Sequence, residues 1–137
     1  MKDRGSILPL IAGLMVLCGV FVVGVIDSTD FAITRTRLQS VADGAALAAA
    51  GTVMPADAAL SNGQLRVVLS STNVSRVARQ FVRDSAVNGI RVRAATSPDR
   101  RTAIVTLTQT WRAPLDSDFV PIRVRLTATA RARTIFD

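Results

Sequence analysis

An uncharged apolar run of 22 residues, Gly5 to Ile26, constrains the fold of this chain more than any other feature. It reads GSILPLIAGLMVLCGVFVVGVI and is bounded by Arg4 and Asp27. As an α-helix rising about 1.5 Å per residue, it would extend roughly 30 Å, the thickness of the hydrocarbon core of a bilayer. A secretory signal peptide has a shorter apolar stretch, about 7–15 residues long, followed by a small-residue cleavage site. The next residues here are DSTDF, so we interpret the run as a membrane anchor and keep a cleaved signal as the alternative.

The charges on either side of the run predict how the anchor is oriented. Lys2, Arg4 and the terminal amine precede it, and basic residues favour the cytoplasmic side of a membrane. Asp27 and Asp30 follow it, but acidic residues have little influence on topology. We therefore expect a single-pass protein of the cytoplasmic membrane, with its N-terminus inside and its C-terminal domain outside.

The composition argues against an enzyme. The chain has no His and no Glu, and its only cysteine and lysine are Cys18 and Lys2. Most general acid–base chemistry near neutral pH and most zinc sites depend on these residue types. We expect no catalytic residue, no metal, no cofactor and no small-molecule substrate.

A helical pattern continues beyond the apolar run, through LQSVADGAALAAAG. Phe31, Leu38 and Ala45 occupy the a positions of a heptad repeat, and Thr34, Val41 and Ala48 occupy the d positions. We define the packing seam as Phe31, Leu38, Val41, Ala45 and Ala48. The pattern predicts one rod from about Leu8 to Ala50, stopped by Gly51 and Pro55. The seam predicts close helix packing against another subunit or against the chain's own sheet, and the pattern leaves that choice open.

The rest of the chain predicts a small α+β layer. Turn signals interrupt residues 52–73, and a second helix is expected from about Val74 to Val87, capped by Asn73 or Ser75. Three segments then alternate with period two, which predicts three antiparallel strands covered by that helix. Their expected inward residues include Ile90, Val92 and Ala94 in the first segment, and Ile122, Val124, Leu126, Ala128, Ala130 and Ala132 in the last. The domains are therefore 1–26, a cytoplasmic tail and transmembrane anchor; 27–51, the amphipathic continuation of the helix; and 52–137, the exported α+β domain.

Arginine predominates on the outward side of the predicted strands. The chain carries sixteen arginines against ten aspartates, which underlies a formal net charge of +7. The expected anionic-partner face comprises Arg91, Arg93, Arg123, Arg125, Arg131 and Arg133. Such a face is either simply solvated or binds an acidic partner, a cell-wall polymer, lipid headgroups or DNA. Nucleic acid is disfavoured because few aromatic residues accompany the arginines.

The N-terminal residues resemble those of TadE/TadG-like proteins, the minor pilins or pilus-assembly proteins of bacterial tight-adherence (Flp-type) systems. The residues that carry the resemblance lie before, just after and well beyond the apolar run: Arg4, Gly5, Asp27, Leu38, Gln39, Ala42, Asp43 and Leu47. The resemblance implies a pilin-like subunit in the bacterial cytoplasmic membrane, whose first helix packs in an assembly. Processed members carry a Glu at the fifth position after the cleavage site; that position here is Leu10, so the unprocessed branch fits better.

Two functions follow from these features. The first is a single-pass membrane subunit of a Tad/Flp-like pilus or related secretion assembly, acting by helix packing with partner subunits. The second is a membrane-tethered binding module whose arginine-rich sheet face binds an anionic cell-wall polymer or DNA. In the first case the partners are membrane lipid and other subunits of the assembly.

Overall fold

A computed structural model describes residues 7–52, 58–61, 64–114 and 121–134, without the side chains of residues 58–67. The elements follow in the order α1 (Ile7–Gly51), β1 (Ala58–Ser61), β2 (Gln64–Val67), α2 (Ser71–Asp84), β3 (Ile90–Thr96), β4 (Thr102–Arg112) and β5 (Arg123–Arg133). The fold is α+β, with one long N-terminal helix, a second helix and a three-stranded antiparallel sheet, as the sequence predicts. Pro55, expected to help stop the first helix, lies outside the described residues.

The first helix continues without interruption from the apolar run into the alanine-rich segment. α1 spans 45 residues and ends at Gly51, one residue beyond the predicted end. Alanine and leucine are strong helix formers, and the only proline of the run, Pro9, lies in the first turn, where its missing N–H costs little. The predicted rod is therefore confirmed.

The three long strands form a sheet in the order β3-β4-β5, with both pairs antiparallel. β4 and β5 pair along their whole length, from Thr102 opposite Arg133 to Arg112 opposite Arg123. β1 and β2 flank Asn62-Gly63 in the sequence and form a separate two-stranded antiparallel sheet. The sequence predicts only turns and a short apolar run there, because each strand of this hairpin has just four residues.

The core lies between the two helices and one face of the sheet, which we call the inner face. α1 contributes its small residues, α2 contributes Val74, Ala78 and Val82, and β4 contributes Ala103, Val105 and Leu107. The opposite face, here called the outer face, carries threonines and arginines that are exposed or half-buried. This two-layer arrangement buries the apolar stripe of each element, which is the dominant stabilising term in a domain of this size.

The second helix begins and ends three residues earlier than the sequence predicts. Its N-cap is Ser70, whose side chain makes no capping hydrogen bond, so the expected caps Asn73 and Ser75 lie inside the helix. Apolar residues spaced three to four apart nevertheless predict the buried side of this helix, and Val74, Ala78 and Val82 are buried.

Two details of the predicted strand alternation are wrong. The register of β3 shifts between Val92 and Ala94, so that Ala95 is buried on the inner face and Ala94 is exposed. This bulge places one extra residue, Arg93, in β3 and reverses the alternation beyond it. In β5, Ile122 and Val124 are exposed although they precede the buried Leu126 in the same alternation. Val124 lies opposite Trp111 at the start of β5 and Ile122 precedes the strand, so both lie at the very end of the inner face.

The turn between β3 and β4 is organised by one carboxylate. Asp99 Oδ1 accepts hydrogen bonds from the backbone N–H groups of Arg101 (3.0 Å) and Thr102 (2.7 Å), and its Oδ2 accepts one from Thr102 Oγ1 (2.7 Å). The Thr102 hydroxyl, followed by the two backbone donors, lowers the pKa of Asp99 from 3.8 to about 2. These bonds require the ionised form, so their contribution to stability is present above pH 3.8 and is lost as the pH falls through about 2.

Removing the hydroxyl donor should raise the pKa of Asp99. In Thr102→Val, which keeps the β-branched shape, we expect the pKa of Asp99 to move from about 2 towards 3.8, followed by NMR titration of its carboxyl carbon. Thr134→Val is the matched control, because its hydroxyl donates to the Arg101 carbonyl and not to Asp99. Equal titration midpoints in wild type and Thr102→Val would contradict the assignment.

Candidate functional site

The first half of α1 is apolar and packs against no other element within the described residues. Every residue from Ile7 to Ile26 is exposed, including Leu14 and Phe21. By length and composition this helix can cross a membrane. An apolar surface of this size on a protein signals a lipid or protein partner.

The packing seam on the second half of α1 faces the chain's own domain. Leu38 is 1% exposed and Ala45 is fully buried, while Phe31, Val41 and Ala48 are half-buried. Their neighbours are the inner face of β4 and β5 on one side and α2 on the other. The small residues bring the helix close to the sheet, so their dispersion contacts are made within the chain.

A polar and aromatic junction joins α1 to the sheet near the end of the apolar half. Trp111 Nε1 donates a 2.8 Å hydrogen bond to Asp30 Oδ2, and the ring of Trp111 meets that of Phe31 edge-to-face at 5.2 Å between centroids. Trp111 is 7% exposed, so its indole N–H is taken from water and needs this acceptor. The junction fixes the level along α1 at which the sheet lies, four to five residues past Ile26.

The two helices approach each other closely at Gly44. A Cβ placed there would lie 2.7 Å from Cζ of Phe81 on α2. The position therefore excludes any side chain unless the Phe81 ring moves, which explains why a glycine occurs among the alanines of this segment.

Adding a methyl group at this contact should destabilise the domain. We expect Gly44→Ala to lower the free energy of unfolding by about 1 kcal/mol, because overpacking against Phe81 costs about 1–3 kcal/mol and the higher helix propensity of alanine offsets about 1 kcal/mol of it; denaturant unfolding of the full chain in detergent measures this. Gly51→Ala is the matched control, since no atom lies within 4 Å of a Cβ there, and it should leave stability unchanged or raise it. Equal effects of the two substitutions would refute the close contact.

The other side of the second half of α1, opposite the packing seam, is exposed. Ile33 (51% exposed), Ser40 and Leu47 (68% exposed) recur every seven residues along it. Leu47 is one of the motif residues that carry the family resemblance. We call this side, defined by Ile33, Ser40 and Leu47, the free face of α1.

The structure separates the predicted arginine face into two groups. Arg91, Arg123 and Arg125 lie towards the end of the sheet that meets Phe31, whereas Arg131 and Arg133 lie at the far end, opposite Ile104 and Thr102. Arg93 is exposed at the β3 bulge. Eight residues of strand separate Arg123 from Arg131, about 26 Å at 3.3 Å per residue.

Sequence reasoning missed one member of the first group, Arg112. It ends β4 directly opposite Arg123, and both side chains are exposed on the outer face. Like charges directly opposed on neighbouring strands are destabilising. The pairing of Arg112 with Arg123 depends on how β4 and β5 are aligned, and no pattern within a single strand predicts that alignment. Asp116 and Asp118, in the connection between the two strands, lie outside the described residues.

The remaining motif residues are distributed over both sides of α1. Ala42 is fully buried, and Gln39 Nε2 donates a 3.0 Å hydrogen bond to Asp43 Oδ1 one turn later on the exposed surface. Asp27 is half-buried, and its Oδ1 has no hydrogen-bond partner within the described part of the chain. Arg4 and Gly5 precede the described residues.

Comparison with known proteins gives one match. Residues 5–52 match the Tad family, described as Flp pilus-assembly TadE/G-like. The same comparison with curated proteins and with solved structures finds no match. The matched segment and the exposed apolar helix together support a membrane pilus-assembly protein, a structural rather than an enzymatic kind of protein. Residues 5–52 are therefore similar to the TadE/G-like proteins of the Tad family, in agreement with the sequence resemblance.

Proposed function

We propose that this chain is a single-pass membrane subunit of a Tad/Flp-like pilus or related secretion assembly, acting as a minor pilin-like or assembly protein. The observation that carries the proposal is the coincidence of two boundaries. The family match covers residues 5–52, and α1 covers Ile7–Gly51, so the matched module is this helix and not the sheet.

The apolar half of α1 supplies the anchor in this proposal. About 20 residues of uncharged helix reach across the hydrocarbon core of a bilayer, and their complete exposure in the isolated chain matches a lipid or helix environment. Arg4 and Lys2 on one side favour an inside N-terminus, which places the sheet outside.

Partner subunits pack on the apolar half and on the free face of α1. The packing seam is occupied by the chain's own sheet and by α2, so it offers no surface to a second subunit. The free face remains accessible, and an exposed Leu47 beside polar neighbours is suited to a helix–helix contact of modest area. Asp27, with an unpartnered buried oxygen at the membrane boundary, would accept a hydrogen bond from a basic residue of a neighbouring subunit.

Deleting the gene in its native host tests this proposal. We expect loss of Flp-type pili from the cell surface, seen by electron microscopy, and recovery with the wild-type gene. Leu47→Asp should fail to restore them, because it places a charge on the free face where a partner helix would pack. The matched control is Thr72→Asp, an exposed position of α2 that adds the same charge beside residues of α2 and β3.

Two checks separate assembly from folding and insertion. Both variants should remain in membranes washed with alkaline carbonate and should show the wild-type near-ultraviolet circular dichroism of Trp111. Normal pili in cells without the protein would refute the assembly function. Normal pili with Leu47→Asp would refute the free face as the contact.

A further inference from the structure

The sheet carries an arginine cluster whose position relative to the membrane follows from α1. The cluster consists of Arg112, Arg123 and Arg125, all exposed at one end of the outer face. Arg112 and Arg123 lie opposite each other, and Arg125 lies opposite Thr110. None of the three forms an ion pair with a carboxylate of the described residues. Their mutual repulsion is therefore uncompensated within that part of the chain.

An open depression lies beside this cluster. It has a volume of about 420 Å³, and its lining includes Arg112, Arg125 and, from β3, Arg91. The side chains of Thr108 and Thr110 lie between these arginines and add hydroxyl groups. Guanidinium groups with neighbouring hydroxyls are suited to phosphate oxygens, which they bind through several donors at once.

The height of the cluster above the membrane can be read from the Phe31–Trp111 contact. Arg112 follows Trp111 in β4, and Phe31 lies five residues beyond Ile26, about 7 Å along the helix. The headgroup region extends roughly 5–8 Å from the hydrocarbon core in each leaflet. The strands then lead away from the membrane, since the groove next to Arg35 and Gln39 of α1 is lined by Thr127 and Thr129 of β5.

Apolar residues accompany the cluster at the same level. Ile122 is 47% exposed and Val124 is 37% exposed; they alternate with Arg123 and therefore lie on the inner face, at the same end of the sheet as the cluster. Exposed apolar residues and arginines at one end of a sheet, on its two faces, favour a lipid surface, with its phosphates and acyl chains, over a soluble polyanion. Arg131 and Arg133 lie about 26 Å further along the strands, where Arg131 is opposite the half-buried Ile104.

We propose that Arg112, Arg123 and Arg125 bind the phosphate groups of anionic lipids in the leaflet from which α1 emerges, and so hold the exported sheet against the membrane surface. The inference rests on the membrane anchoring proposed above. The lipid phosphate offsets the repulsion between Arg112 and Arg123, and Ile122 and Val124 contact the acyl region. The arginine face is thus divided into a lipid-binding end and a solvated end.

Lipid titration of the full chain in nonionic detergent tests the proposal. Phosphatidylglycerol or phosphatidylcholine is added in the same detergent, and bound lipid is counted by native mass spectrometry. We expect a clear preference of the wild type for phosphatidylglycerol, which weakens as salt is added. Arg112→Gln/Arg123→Gln should weaken that binding about 30-fold, because each arginine near a lipid surface contributes about a factor of five.

The matched control removes the same charge from the same two-stranded surface. Arg131→Gln/Arg133→Gln should leave phosphatidylglycerol binding within about threefold of wild type. Without lipid, Arg112→Gln/Arg123→Gln should unfold at an equal or higher temperature than wild type, because it removes the like-charge pair. That result separates lost lipid binding from lost folding.

Several outcomes would overturn the proposal. These are equal losses in the two double variants, equal binding of phosphatidylcholine, and displacement of the lipid by an equal concentration of glycerol phosphate. Tighter binding of a duplex oligonucleotide or of a polyanionic wall polymer would assign the cluster to that ligand instead. Extraction of the wild-type chain from membranes by alkaline carbonate would refute the anchoring itself, whereas an anchored chain without lipid preference would refute this inference alone.

Discussion

Burial of the small-residue side of α1 against the sheet is the interaction on which the rest of the structure depends. The three long strands offer one apolar face, and α2 alone is too short to cover it. The outer half of α1 completes the layer with Leu38, Ala42, Ala45, Ala46 and Ala49, all buried. Alanines let the helix axis approach the sheet and α2 closely. Backbone and Cβ atoms of the helix therefore make the dispersion contacts that larger side chains would otherwise make. One helix therefore carries both the apolar segment that is able to cross a membrane and part of the domain core.

This dual role fixes the geometry of the sheet relative to the apolar half of α1. A domain joined to its anchor by a flexible linker could take many orientations, but here no linker separates the two. The hydrogen bond from Trp111 to Asp30 and the ring contact with Phe31 hold the sheet at a defined level of the rod. This junction therefore sets the position of the arginine cluster relative to the free face of α1. A contact between subunits of an assembly benefits from such rigidity, because less conformational freedom is lost on binding.

The sequence was sufficient for those features that depend on local pattern, and insufficient for those that depend on register. The helix, its end at Gly51 and the three strands follow from apolar periodicity, and the motif around Leu38–Leu47 predicts the family. The heptad predicts that Leu38 and Ala45 pack, but a small-residue side fits a sheet as well as a second helix, so the partner was undecided. The bulge at Arg93 and the Arg112–Arg123 pair arise only when strands are aligned, and no single-strand pattern contains that alignment.

Native-state hydrogen exchange of the full chain in detergent tests the central claim that the second half of α1 belongs to the core of the α+β domain. Amides of Leu38–Ala50 should exchange through the same global opening as those of Ala103–Leu107 in β4, with opening free energies equal within about 1 kcal/mol and equally reduced by added denaturant. Exchange of the helix segment by its own lower-energy opening, while β4 stays protected, would contradict the account.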